Sequence, residues 1–79
     1  MSMEIREHDC VVLTRDMDGG PLRAGDVGTV VHIHGGGEAF EVEFLTMTGR
    51  TVSVTTVFAA DLRLVSASDI SHVRELASN

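Results

Sequence analysis

The chain has 79 residues, 43% of them hydrophobic, which is enough for one small folded domain. Its longest apolar runs are three or four residues, as at Cys10 to Leu13, against the roughly 20 that a spanning helix requires, so no membrane span is expected. Twelve acidic residues face six basic ones, all arginine, and the resulting net charge of −6 repels phosphate backbones, which disfavours nucleic acid as a partner.

Met1 to His8 is charged and lacks periodicity, so residues 1–8 are expected to be frayed; nothing in them resembles a signal peptide, and a cytoplasmic protein is expected. From Asp9 the texture becomes β. Cys10 to Thr14 is a short aliphatic, β-branched run and reads as the first strand. Cys10 has no second cysteine to pair with, and in this run it reads as a small buried hydrophobe. Arg15 to Ala24 carries Asp18-Gly19-Gly20-Pro21 and reads as a long loop.

Val27 to Ile33 is the second strand, and alternation across a strand puts Val27, Thr29, Val31 and Ile33 on one face, assigned to the core. His34-Gly35-Gly36-Gly37-Glu38 is a turn. Ala39 to Leu45 gives the clearest pattern in the chain, with Phe40, Val42 and Phe44 on one face and Glu41 and Glu43 on the other, as in a half-buried antiparallel strand. Thr51 to Phe58 is the fourth strand, with Val52, Val54 and Phe58 assigned to the core and Val57 to the outside. Ala59-Ala60-Asp61 fits a single 3₁₀ turn, and Leu62 to Val65 returns to strand. In Ser66 to Asn79, Ser68 and Asp69 are candidate caps ahead of Ile70, Val73, Leu76 and Ala77 at three-to-four spacing, which predicts a short amphipathic helix.

Five short strands, a long first loop and tight hairpins predict an all-β fold, a small, strongly bent five-stranded barrel over residues 9–65 followed by a C-terminal α-helix over 66–79. The predicted core is Val11, Leu13, Val27, Val31, Ile33, Phe40, Val42, Phe44, Val52, Val54, Phe58, Leu62 and Leu64. Gly25, Asp26 and Gly28 have structural roles at the turn into the second strand. Gly25 suits positive φ, Asp26 suits acceptance of backbone N–H bonds, and Gly28 permits close backbone approach.

Leu22-Arg23-Ala24-Gly25-Asp26-Val27-Gly28-Thr29-Val30-Val31 resembles an SH3-like barrel signature. Taken with Ala39-Phe40-Glu41-Val42-Glu43-Phe44 and Ala60-Asp61-Leu62-Arg63-Leu64-Val65, the segment from Asp9 to Val65 resembles a bacterial domain-of-unknown-function family of short proteins marked by an A-F-E-V-E-F motif. The resemblance implies the fold and carries no activity, cofactor or site residue with it.

Chemistry-bearing residues are sparse. His32 and His34, two apart on a strand, share a face and are weak candidates for a metal site with His8 or Cys10, but no ligand spacing of a recognised metal motif accompanies them. Glu41 and Glu43 lie about 7 Å apart by strand rise, and an outer barrel face paired with Arg50 or Arg63 accounts for them better than acid–base catalysis. Gly35-Gly36-Gly37 lacks the lysine and following helix of a phosphate loop. No Trp or Tyr is present to build the aromatic grooves by which SH3-type domains take proline-rich peptides. No catalytic residue, cofactor or small-molecule substrate is expected.

The remaining signal is apolar surface. Val12, Val30, Leu45 and Val57 fall opposite the predicted core, and Ile70, Val73 and Leu76 belong to the predicted helix; together they form the candidate interaction surface. The sequence therefore suggests a non-enzymatic protein-interaction or accessory module whose partner is a protein, a second copy of itself included. An RNA-binding barrel of the Gly-Asp-x-Gly type is the alternative and requires Arg15, Arg23, Arg50 and Arg63 to converge; a metal-binding role through His32 and His34 ranks third.

Overall fold

The computed structural model describes residues 4–76. Five antiparallel strands, β1 (Cys10–Leu13), β2 (Val27–His34), β3 (Ala39–Leu45), β4 (Thr51–Phe58) and β5 (Leu62–Leu64), form one sheet in the order β4-β3-β2-β1-β5, with a 3₁₀ turn at Ala59–Asp61 between the last two. The strands fall where the alternating pattern puts them, and the fold is all-β. No ladder joins β4 to β5 among the described residues, so the expected barrel is an open sheet by its hydrogen bonds. The sheet nevertheless curls, because Val57 of β4 and Leu62 of β5 belong to the same apolar cluster as Val11, Leu13, Val30, Phe40, Val42 and Phe44.

The core face of β2 differs from the expected one. Val30 is fully buried, whereas Val27 and Val31 are exposed. A bulge explains the exchange: the register runs Gly28↔Phe44 and Val30↔Val42, then shifts to His32↔Glu41 and Ile33↔Phe40. One extra residue in β2 turns Gly28, Val30 and Ile33 toward the same core although 30 and 33 have opposite parity, and Val31 is pushed outward. Gly28 is required at this crossing, since a Cβ there would lie 2.5 Å from Val42 Cγ1 and 2.9 Å from the Glu43 carbonyl oxygen.

β4 is likewise turned over. Val57 is fully buried, Val52 is half-buried against the core, and Val54 and Phe58 are 55% and 68% exposed. Both faces of β4 carry apolar residues, so its own pattern does not choose between them. The choice is made by β3, whose inward Phe40 stands opposite Val57 while outward Glu41 and Glu43 stand opposite Thr56 and Val54. Val30 and Val57 are thus core residues and leave the candidate interaction surface. Leu22, from the long loop, is also buried in this core, and nothing periodic in the sequence marks it.

Residues 4–8 form no strand or helix but are tied down. Ile5 packs on the core, the His8 N–H donates to the Val30 carbonyl at 2.7 Å, and the Asp9 carboxylate accepts the Arg6 N–H at 2.8 Å. Residues 1–3 and 77–79 of the expected frayed start and terminal helix lie outside the described residues.

The predicted C-terminal helix is absent over residues 66–76, which run without regular structure. Two arginine–carboxylate forks hold this segment. Arg63 donates to both Asp69 oxygens at 2.8 and 2.9 Å, and Arg74 donates to both Asp26 oxygens at 2.6 and 2.8 Å and to the Pro21 carbonyl. A lone amphipathic helix of about ten residues is marginal in water, and these pairs favour an extended course over it.

Candidate interaction surface

The turn before β2 is built by its own residues. Gly25 takes φ 93°, its N–H donates to the Leu13 carbonyl at 2.8 Å, and the Asp26 carboxylate accepts the Arg23 N–H at 2.8 Å. Burial taken alone raises the Asp26 pKa, but the Arg74 fork, the Arg23 N–H and their positive charges outweigh it and hold the carboxyl below the usual carboxylate range. Asp26 therefore both closes the turn and anchors the C-terminal segment.

That segment passes beside the outer side of β1. Val12, on the face opposite Val11 and Leu13, is buried, and an open cleft of about 350 Å³ is lined by Cys10, Val12, Val27, Arg63, Val65 and Ile70 among others. Cys10 is exposed rather than buried: it is the first residue of β1, opposite Thr29, and shares the outer face with Val12. Leu45, Ile70, Val73 and Leu76 are exposed, with Ile70 at 91%.

On the other half of the sheet, β2, β3 and β4 present an outer face whose rows follow the register: Thr29–Glu43–Val54, His32–Glu41–Thr56 and His34–Ala39–Phe58. The His32 and His34 rings meet edge to face at 4.8 Å. Glu41 is bonded to the Thr56 hydroxyl and, at 2.8 Å, to His34 Nε2, and these two bonds hold its carboxyl below the usual range. Glu43 accepts from the Thr51 hydroxyl at 2.8 Å. The carboxylates are thus satisfied by hydroxyls and an imidazole of the same face, not by Arg50 or Arg63. Among the described residues, no three His, Cys, Asp or Glu side chains are placed to hold a metal ion.

A second cleft, about 710 Å³, lies between the N-terminal segment, the Gly36–Gly37 turn and β5, and is lined by Ile5, Ile33, Phe40, Ala59, Leu62 and Leu64, with Glu4 and Arg63 as its charged groups. Among the described residues that line it, no nucleophile stands beside a base. Four of the arginines are engaged in local bonds: Arg15 pairs with Asp18 and Asp61, Arg63 with Asp69 and Arg74 with Asp26, while the Arg23 guanidinium donates to the Gly20 and Leu22 carbonyls.

The feature that stands out is the edge of β4. Eight residues, Thr-Val-Ser-Val-Thr-Thr-Val-Phe, carry no charge, no proline and no glycine, and among the described residues only β3 pairs with them. The Ala59 N–H donates to the Glu38 carbonyl, which continues the β3–β4 register by one pair, so alternation turns the N–H and C=O of Val57 and Thr55 toward β3 and those of Val54, Thr56 and Phe58 away from it, the Phe58 carbonyl being the one that caps the following 3₁₀ turn. The same three residues place their side chains on the outer face, where Val54 and Phe58 are the exposed apolar groups. The strand's lack of charge was readable in the sequence; its position at a sheet edge was not.

No curated protein and no solved structure matches the chain. A family model matches residues 7–64, from the first ordered turn to the end of β5. The chain belongs to the family described as domain of unknown function DUF4926.

Proposed function

We propose that this chain is a non-enzymatic protein-interaction module that works by β-strand addition at the free edge of β4, on a sheet that follows the SH3-like strand layout. One observation carries the reading: an uncharged eight-residue strand in which the backbone groups of Val54 and Thr56 and the N–H of Phe58 point away from the sheet. Sheet edges are ordinarily blunted by charge, proline or a bulge, because unpaired N–H and C=O groups recruit other strands. Here the outer half of β4 has none of these, and an incoming strand gains main-chain hydrogen bonds together with contact to Phe58 and Val54. The three paired arginines Arg15, Arg63 and Arg74 give no support to an RNA-binding stripe.

The test is affinity capture from producing cells with two baits, the wild-type chain and Val54→Lys, which places a charge on the exposed edge and leaves the core untouched. Proteins recovered by the first bait and lost with the second, with slowed amide exchange at Val54, Thr56 and Phe58 in the recovered complex, are the expected result. Identical recovery with both baits and unchanged exchange in β4 overturns the reading.

A further inference from the structure

The edge of β4 is complementary to itself. An antiparallel partner strand pairs outward-facing residues with outward-facing residues, and a two-fold axis through Thr56 satisfies this with Thr56 opposite Thr56 and Val54 opposite Phe58, twice. Directly opposed residues share a face, so each Phe58 ring, 68% exposed in the single chain, lies over the Val54 of the other copy, 55% exposed. No other two-fold register of this strand covers both side chains with each other. We infer that β4 pairs with β4 of a second copy in this register, so that two five-stranded sheets join into one of ten strands; the inference rests on the strand-addition reading above and names its partner.

Charge does not oppose the pairing. The strand has no ionised group, and the nearest carboxylate in the central row is Glu41, one strand further in and already bonded to His34 and Thr56. The two Glu41 carboxylates would be three strand spacings apart, about 14 Å, beyond the Debye length of about 8 Å at physiological ionic strength. The strand itself thus adds nothing to the net charge of −6 that a second copy meets. Only Val54 to Phe58 pair, so the interface is small and the association is weak and concentration-dependent.

The test uses the full chain. Light scattering over a series from micromolar to millimolar protein is expected to show the mass rising toward twice 8.5 kDa, with Val54→Lys moving the midpoint by at least about tenfold and circular dichroism unchanged. Register is read by disulfide trapping in a Cys10→Ser background. Thr56→Cys places two thiols opposite each other on the axis and forms a covalent dimer under mild oxidation, whereas Val54→Cys, whose opposite residue is Phe58, does not. A mass that stays monomeric throughout, or equal trapping at both positions, overturns the inference. Differential capture with the two baits above, found together with a monomeric mass, sinks self-pairing and leaves strand addition to a different protein standing; loss of both results removes both.

Discussion

Arg74 grips Asp26 from 48 residues further along the chain, Nε to Oδ1 at 2.8 Å and Nη2 to Oδ2 at 2.6 Å, and the same nitrogen reaches the Pro21 carbonyl at 2.7 Å. This fork closes a loop whose ends are the turn into β2 and the segment after β5. It accounts for the extended course of residues 66–76, because a helix starting at Asp69 would draw Arg74 back toward its own axis.

Replacing Arg74 by Ala is therefore expected to free the C-terminal segment without unfolding the sheet. Exposed ion pairs contribute about 0–1 kcal/mol, and this one, bidentate and partly shielded, belongs at the upper end. Amide exchange should quicken over residues 66–76 and around Val12 while β2 and β3 keep their protection; unchanged exchange in the segment would show that the fork does not hold it.

Acid should release the same segment. Arg63, and then the Ser66 N–H, hold the Asp69 carboxyl well below its usual range, and Arg74 does the same for Asp26 against the opposing effect of burial. Both folded pKa values lie below the ordinary 3.8, so their contribution is present above that value and is lost as pH falls through the lower, folded ones. Proton titration by NMR should place both carboxylates below an unfolded-state reference, and the segment should loosen only as pH falls below 3.8, detaching as the lower, folded values are passed. Normal titration of both would contradict the forks.

Gly28→Ala is predicted to destabilise the fold by about 1–3 kcal/mol, since the added Cβ would meet Val42 Cγ1 at 2.5 Å and the Glu43 carbonyl at 2.9 Å, and the backbone oxygen cannot rotate away. Chemical denaturation gives the measurement. A loss below about 0.5 kcal/mol would mean that β2 and β3 are less closely apposed at Gly28 than described.

Val30 and Val31 test the bulge directly. Val30→Ala removes two methyl groups from a fully buried site and should cost about 2 kcal/mol, whereas Val31→Ala, on the outward residue of the bulge, should stay within about 0.5 kcal/mol. The reverse ordering would restore the unbulged strand.

The sequence by itself determined where the strands are and the face of β3, because Phe40, Val42 and Phe44 alternate with glutamates and admit one amphipathic solution. It also marked Gly25, Asp26 and Gly28 as turn and crossing residues. For β2 and β4 the pattern is apolar on both faces, so the tertiary structure decided them: the bulge after Val30 and the pairing of Val57 with Phe40 select faces that no period of two within the strand specifies. Periodicity in 66–76 fitted a helix, and contacts to Asp26 and Asp69 overrode it, since local propensity in so short a segment is weaker than two bidentate ion pairs. The free edge of β4 belongs to the same class of fact. Which strand lies last in a sheet depends on how all of them pair, and no single strand's residues carry that information.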